Sequence, residues 1–194
     1  MKRYRAKPYE VPGWIMPAVA ALRPRKRLPV SQWAEENRIL PDGNSIPGPW
    51  RNRVTPYLTE IMDMFNSESV EKIIFVKPTQ VGGTSAMENM LGSLIDQDPG
   101  PTMIVYPLDD LAERTVDAKL DPMIRRCKPL AALYQKTDSK KLQLKFGAMT
   151  VYLNGANSPA DLSSTNIRYL FLDEVDKYPG ASKKVSDPVS LAIE

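Results

Sequence analysis

The chain is predicted to fold as an α/β three-layer sandwich, with a mainly parallel sheet and helices on both faces. Three observations predict it. Strand-length apolar runs alternate with stretches of helical periodicity from residue 30 onward. The runs at 72–76, 102–106 and 168–172 are apolar nearly throughout, the pattern of strands covered on both faces rather than one. The first of these runs leads into a double glycine, Gly82 and Gly83, and the last ends in two adjacent acids, Asp173 and Glu174.

Composition limits the classes available. The 194 residues are 42% hydrophobic and 25% charged, which suffices for one good core. No apolar run approaches the ~20 residues that span a bilayer, and the N-terminus lacks the apolar region of a secretory signal, so no membrane partner is expected. Cys127, the one cysteine, excludes an internal disulfide and fits a reducing compartment. With no histidine, a structural zinc site is excluded, and any metal is expected to be Mg²⁺ held by oxygens.

Charge divides the chain. Residues 1–27 carry eight Lys/Arg against Glu10, and the remainder sums to about −4. Residues 1–29 are therefore read as a basic, proline-rich N-terminal arm and 30–194 as the α/β domain, expected to be incomplete at its C-terminal end. Such an arm is either solvated or in contact with DNA phosphates or a partner subunit, with Tyr4, Tyr9 and Trp14 available to stack on bases or pack on protein.

Residues 30–40 read as a short helix with Ser31 as N-cap. A loop dense in turn formers follows, at 41–49. Thr55 is expected to cap a helix with Pro56 in its first turn, carrying Tyr57, Leu58, Ile61, Met62 and Phe65 on one face. Residues 72–76 are the expected strand before the double glycine. After it, Ala86, Met87, Met90, Leu91, Leu94 and Ile95 mark one apolar helix face. Residues 102–106 form a buried strand ended by Pro107, and helical spacing runs from Leu108 to Ile124, with a fresh start at Asp121-Pro122. Residues 141–146 and 149–153 alternate and form a hairpin about Gly147. A polar loop at 154–166 precedes the last strand.

Chemistry concentrates at 77–85, Lys77-Pro78-Thr79-Gln80-Val81-Gly82-Gly83-Thr84-Ser85. Strand, tight loop and helix are the context of a phosphate-binding loop. The glycines let backbone N–H groups face an anion, and the helix start adds its positive dipole end. Thr84 or Ser85 offers a hydroxyl to Mg²⁺. Aligned on G-x-x-x-x-G-K-[ST], Gly82 is the second glycine, Thr84 the Ser/Thr, Gly83 stands in the lysine position and Lys77 in that of the first glycine. The charge has moved to the other end of the loop. About 90 residues on, the strand ending in Asp173 and Glu174 has the Walker B pattern. Neighbouring residues of a strand face opposite ways, so the two acids have separate jobs: Asp173 as a metal carboxylate, Glu174 as the group that polarises water.

The chain resembles the ATPase domain of the large terminase subunit of tailed phages, the GpA branch. The stretches that carry the resemblance are 31–41, 55–63, 77–85, 154–163 and 169–178. That family places a lysine at the start of its loop. Many members carry another where Gly83 stands, so Lys77 is here the only lysine of the loop. The resemblance implies a P-loop NTPase fold of the ASCE type, ATP and Mg²⁺ as cofactors, and Tyr57 against the adenine. It implies Lys77 and Glu174 as catalytic residues, 77–85 as the nucleotide loop, and Thr84 and Asp173 as metal ligands. The implied function is ATP hydrolysis that moves double-stranded DNA into a procapsid, in the host cell cytoplasm. The implied partners are DNA, the terminase small subunit and the portal, on which the chain assembles as a homo-oligomer. Arg114, Lys119, Arg125 and Arg126 are candidates for the DNA side. A nuclease domain is expected to be absent from these residues. Two other readings stand beside this one: a helicase-like translocase outside packaging, and a truncated, non-catalytic ATPase fold used for docking.

Overall fold

The computed structural model describes residues 27–163, 165–180 and 187–193. All but the last three residues of the basic arm lie outside that set. Those three already belong to the folded body: the Leu28 N–H donates to Gln97 Oε1 (2.7 Å), and Arg27 pairs with Asp98 (3.0 Å).

Helix α1 (Val30–Asn37) is followed by a two-residue antiparallel pair, β1 (Ile39–Leu40) with β2 (Gly48–Pro49), and by α2 (Tyr57–Met64). The long α3 (Gly83–Gln97) precedes β3 (Thr102–Tyr106). Helices α4 (Asp109–Thr115), α5 (Asp121–Arg126) and α6 (Lys128–Leu133) lead to the hairpin β4 (Gln143–Phe146) and β5 (Met149–Gly155). A short α7 (Pro159–Ser163), β6 (Tyr169–Leu172) and α8 (Pro188–Ile193) complete the order.

The main sheet runs β4-β5-β3-β6, with β5, β3 and β6 parallel and β4 antiparallel to β5. This is the mainly parallel α/β sheet expected from the apolar runs. All five residues of β3 are buried because both its faces are covered. Side chains alternate across the sheet. Ile104, Tyr106, Val151, Leu153 and Phe171 enter the large core beneath α3, while Met103 and Val105 enter a smaller one with Leu162 of α7 and Ala192 of α8. The hairpin turns at Gly147, whose φ of 53° a glycine adopts without strain.

Helix α3 is buried at Ala86 and from Glu88 through Ile95, well beyond the single face that periodicity indicates. Helices α1, α2 and α6 pack against it. Gly92 makes this possible. A Cβ there would run into Trp33 Cη2 and Cζ3 and lie 2.8 Å from Met123 Cε, and Trp33 is fully buried with its Nε1 donating to Asp96 (2.9 Å).

Four local expectations are corrected. Residues 72–76 belong to no strand: β-branched side chains favour the extended backbone, yet a strand exists only where a partner completes its ladder, and none does among the described residues. Ile74 and Val76 are consequently 79% and 91% exposed. Ser31 is not a cap. It lies inside α1, after Pro29, and its N–H and hydroxyl both donate to Asp63 of α2 (2.8 Å each), so a neighbouring helix satisfies the free N–H instead. Thr55 does not cap α2: its hydroxyl is buried without a partner, and its carbonyl accepts from Leu58 N–H (3.0 Å). The chain does not start a fresh helix at Asp121-Pro122 either, because α4 continues into α5 through a π turn, Val116–Leu120.

Helix propensity alone favours Ala over Gly at position 92 by about 1 kcal/mol. The contact with Trp33 reverses that sign. Gly92→Ala is expected to destabilise the fold by about 1–3 kcal/mol through overpacking, seen as a lower urea midpoint at unchanged m.

Candidate functional site

Because β3, β5 and β6 are parallel, the loops that leave their C-terminal ends gather at one edge of the sheet. The N-terminus of α3 faces the same edge. Gly82, at φ 78°, turns the chain into the helix, and no side chain caps its first turn. The amides there are free to face an anion. From below, α2 supports the loop: Tyr57 Oη donates to the Val81 carbonyl (3.1 Å), and a Cβ on Gly82 would sit 3.2 Å from Leu58 Cδ1. Tyr57 remains 52% exposed above that bond.

The two motifs meet. The Thr84 hydroxyl donates to Asp173 Oδ2 (3.1 Å), joining residues 89 apart in sequence. The other oxygen of Asp173 accepts the Glu174 N–H (3.1 Å), and the Asp173 N–H extends the ladder to the Val105 carbonyl (3.0 Å). Asp173 is buried at the strand end.

Lys77 folds back across the loop. A Cβ on Gly83 would run into Lys77 Cδ and Cε and lie 3.3 Å from its Nζ. The stem of Lys77 therefore covers the place from which a side chain at position 83 would leave the backbone. With Lys77 in this path, residue 83 cannot carry a Cβ unless the flexible lysine stem moves.

Strain concentrates in the same two motifs. Among the described residues, the non-glycine positions with positive φ are Gln80 (61°) and Glu174 (54°), one in each. Such residues persist only where the surroundings over-determine them. Glu174 departs from the expected picture in one respect: its carboxylate pairs with Lys177 Nζ (2.9 Å) in the short 3₁₀ turn Val175–Lys177. That pair is exposed at the lysine and cheaply broken. Pro78, Thr79 and Gln80 are exposed, while residues 81–85 are half-buried.

Two arrangements escaped the sequence reading. Asp109 fastens the polar loop after β5 to the loop after β3. It accepts from Gly155 N–H (2.7 Å), Ser158 Oγ (2.6 Å) and Asn157 Nδ2 (3.3 Å), and its own N–H donates to Asn157 Oδ1 (3.2 Å). Behind Asp173, Arg38 and Glu88 form a buried ion pair. Burial pulls the Arg38 guanidinium below its ordinary value against the attraction of Glu88. Burial likewise pushes the Glu88 carboxyl above the usual carboxylate range, against Arg38 and Lys119 and with help from Asp173. A lone arginine or glutamate in a helical pattern carries no mark of such a partner. Of the basic residues proposed for DNA, Arg125 pairs with Asp121 and Arg126 with Asp42 (2.8 Å each), while Arg114 and Lys119 are exposed.

The family model described as phage terminase large subunit gpA, ATPase domain, matches residues 44–194. The chain belongs to that family. An ATPase domain uses nucleotide. No curated protein and no solved structure matches the chain. The stretch 31–41, part of the resemblance read from sequence, falls outside the matched residues. No helix of the described residues is long and apolar enough to cross a membrane.

The donor set fits Mg²⁺. That ion keeps most of its water, and in nucleotide sites it takes one or two protein oxygens together with phosphate oxygens. Thr84 Oγ1 and the Asp173 carboxylate, already within hydrogen-bond distance, supply such oxygens, and no cluster of three acidic, His or Cys ligands is needed or present among the described residues.

Gly83→Ala is expected to leave folding intact, since a flexible lysine stem is all that must shift. Displacing that lysine should lower ATP turnover by up to about 10²-fold. Steady-state hydrolysis beside a thermal melt separates the two effects.

Proposed function

We propose that the domain hydrolyses ATP and that hydrolysis drives double-stranded DNA into a procapsid. The observation that carries this reading is the Thr84–Asp173 contact with Lys77 folded over Gly83 beside it, within a member of the terminase ATPase family. The fold in which it works is read as a P-loop, ASCE-type one, with 77–85 as the nucleotide loop.

In this reading the amides of the loop and the α3 dipole hold the phosphates. Lys77 places its ammonium against the charge that develops on the transferring phosphoryl group, and Tyr57 lies against the adenine. Thr84 and Asp173 would hold Mg²⁺, which when bound would offset part of the phosphate charge. Glu174, released from Lys177, orients and polarises the attacking water. The work is positioning and electrostatics, with no covalent intermediate on the protein. DNA, the small subunit and the portal are the partners, the motor is a homo-oligomer on the portal, and the setting is the host cytoplasm. Residues 1–29, together with Arg114 and Lys119, supply the phosphate contacts on the DNA side.

A second reading, an ATPase fold that docks without turning over, is favoured by the engagement of Glu174 with Lys177. The two readings separate on a pair of substitutions. Lys77→Ala is expected to abolish turnover with the fold intact. Glu174→Gln is expected to retain ATP binding and hydrolyse roughly 10²–10⁴-fold more slowly. Phosphate release and equilibrium binding of a fluorescent ATP analogue measure both. Unchanged turnover in either variant removes the assigned roles, and binding without any turnover in the unaltered chain selects the docking reading.

A further inference from the structure

The loop at 77–85 is held unevenly. At its exit, Gly82 turns the chain into α3, and the Gly82 carbonyl accepts the Ala86 N–H (2.9 Å). At its entry no ladder serves among the described residues: Phe75 packs against the core, while Ile74 and Val76 stand exposed. Between the two ends, among the described residues, one side-chain hydrogen bond reaches the loop's backbone from outside it. Tyr57 Oη donates to the Val81 carbonyl (3.1 Å). Tyr57 is the first residue of α2, and Leu58 beside it is fully buried, so the phenol stands on a helix rooted in the core.

The bond falls at a sensitive place. Val81 lies between two residues of positive φ, Gln80 (61°) and Gly82 (78°). A non-glycine residue in that conformation relaxes unless its surroundings hold it. The peptide joining Val81 to Gly82 is trans, and across a trans peptide the C=O and the N–H point in opposite directions. With its carbonyl turned onto the Tyr57 hydroxyl, this peptide turns the Gly82 N–H away from that hydroxyl. No group of the described residues accepts that N–H.

We propose that Tyr57 is a positioning residue for the phosphates: its hydroxyl, on the Val81 carbonyl, holds the Val81–Gly82 peptide in the orientation that presents the Gly82 N–H to an anion. The inference rests on the reading of 77–85 as the nucleotide loop, and the role is separate from any contact of the ring with adenine. Without the hydroxyl the peptide is free to rotate. The apparent affinity for any polyphosphate then falls with the fraction of chains in which the loop keeps this form. One hydrogen bond between neutral groups shifts such a population roughly three- to tenfold.

The test is Tyr57→Phe in the whole chain, which keeps the ring and removes the hydroxyl. Two probes compete with a fluorescent ATP analogue at a fixed excess of Mg²⁺: ATP, and inorganic tripolyphosphate, which has no base. Urea melts establish that both proteins are folded under the binding conditions, as expected for a change at a half-exposed position. The variant is expected to lose roughly three- to tenfold in affinity for tripolyphosphate and the same factor for ATP, because the ring remains. Tripolyphosphate affinity within twofold of the unaltered chain overturns the inference. So does a loss confined to ATP, which places the hydroxyl's work at the nucleoside. Lys77→Ala, measured alongside, reports on the loop reading alone. If neither probe competes on the unaltered chain, that reading fails and this inference with it, an outcome visible before any variant is made.

Discussion

The hydrogen bond from Thr84 to Asp173 requires that a helix start and a strand end, 89 residues apart, arrive at one point. Two constraints bring them there. Helix α3 is enclosed nearly all round, with Gly92 against Trp33, so it has little freedom to slide along its axis. Strand β6 is in register with β3, and the ladder continues through the Asp173 N–H, so the acid cannot move without breaking the sheet. Loop amides, a lysine and two acids then converge at the edge of the sheet where the three parallel strands end.

The polar groups beneath that point make the arrangement costly as well as rigid. Arg38 and Glu88 are buried together, with Arg38 Nε and Nη1 lacking partners, and the Tyr106 and Thr55 hydroxyls lack them too. An apolar core of the same volume is commonly as stable or more so. Polar groups retained near a site at a cost in stability, together with left-handed Gln80 and Glu174, fit a molecule whose stability is traded locally for the geometry of its chemistry.

The sheet was legible where side-chain pattern and pairing agree. Residues 102–106, the hairpin about Gly147 and the strand before Asp173 are strands as read, where apolar or alternating composition coincides with pairing in the sheet. Residues 72–76 have the same composition and no ladder, since a sequence records the preference for extension and not the presence of a neighbour. Caps were misplaced for a related reason: at Ser31 the N–H is satisfied by Asp63 from another helix, which no local rule anticipates. In the site, the loop and the acids were visible as motifs. The path of Lys77 over Gly83, the clamp at Asp109 and the buried Arg38–Glu88 pair depend on distances across the fold.

The most direct measurement is a structure of the chain with Mg²⁺ and a non-hydrolysable ATP analogue. The account predicts the phosphates against the backbone amides of residues 81–85, with the Lys77 ammonium on them and the metal held through Thr84 and Asp173. An analogue bound away from this loop, or bound there with Lys77 turned out to solvent, contradicts it.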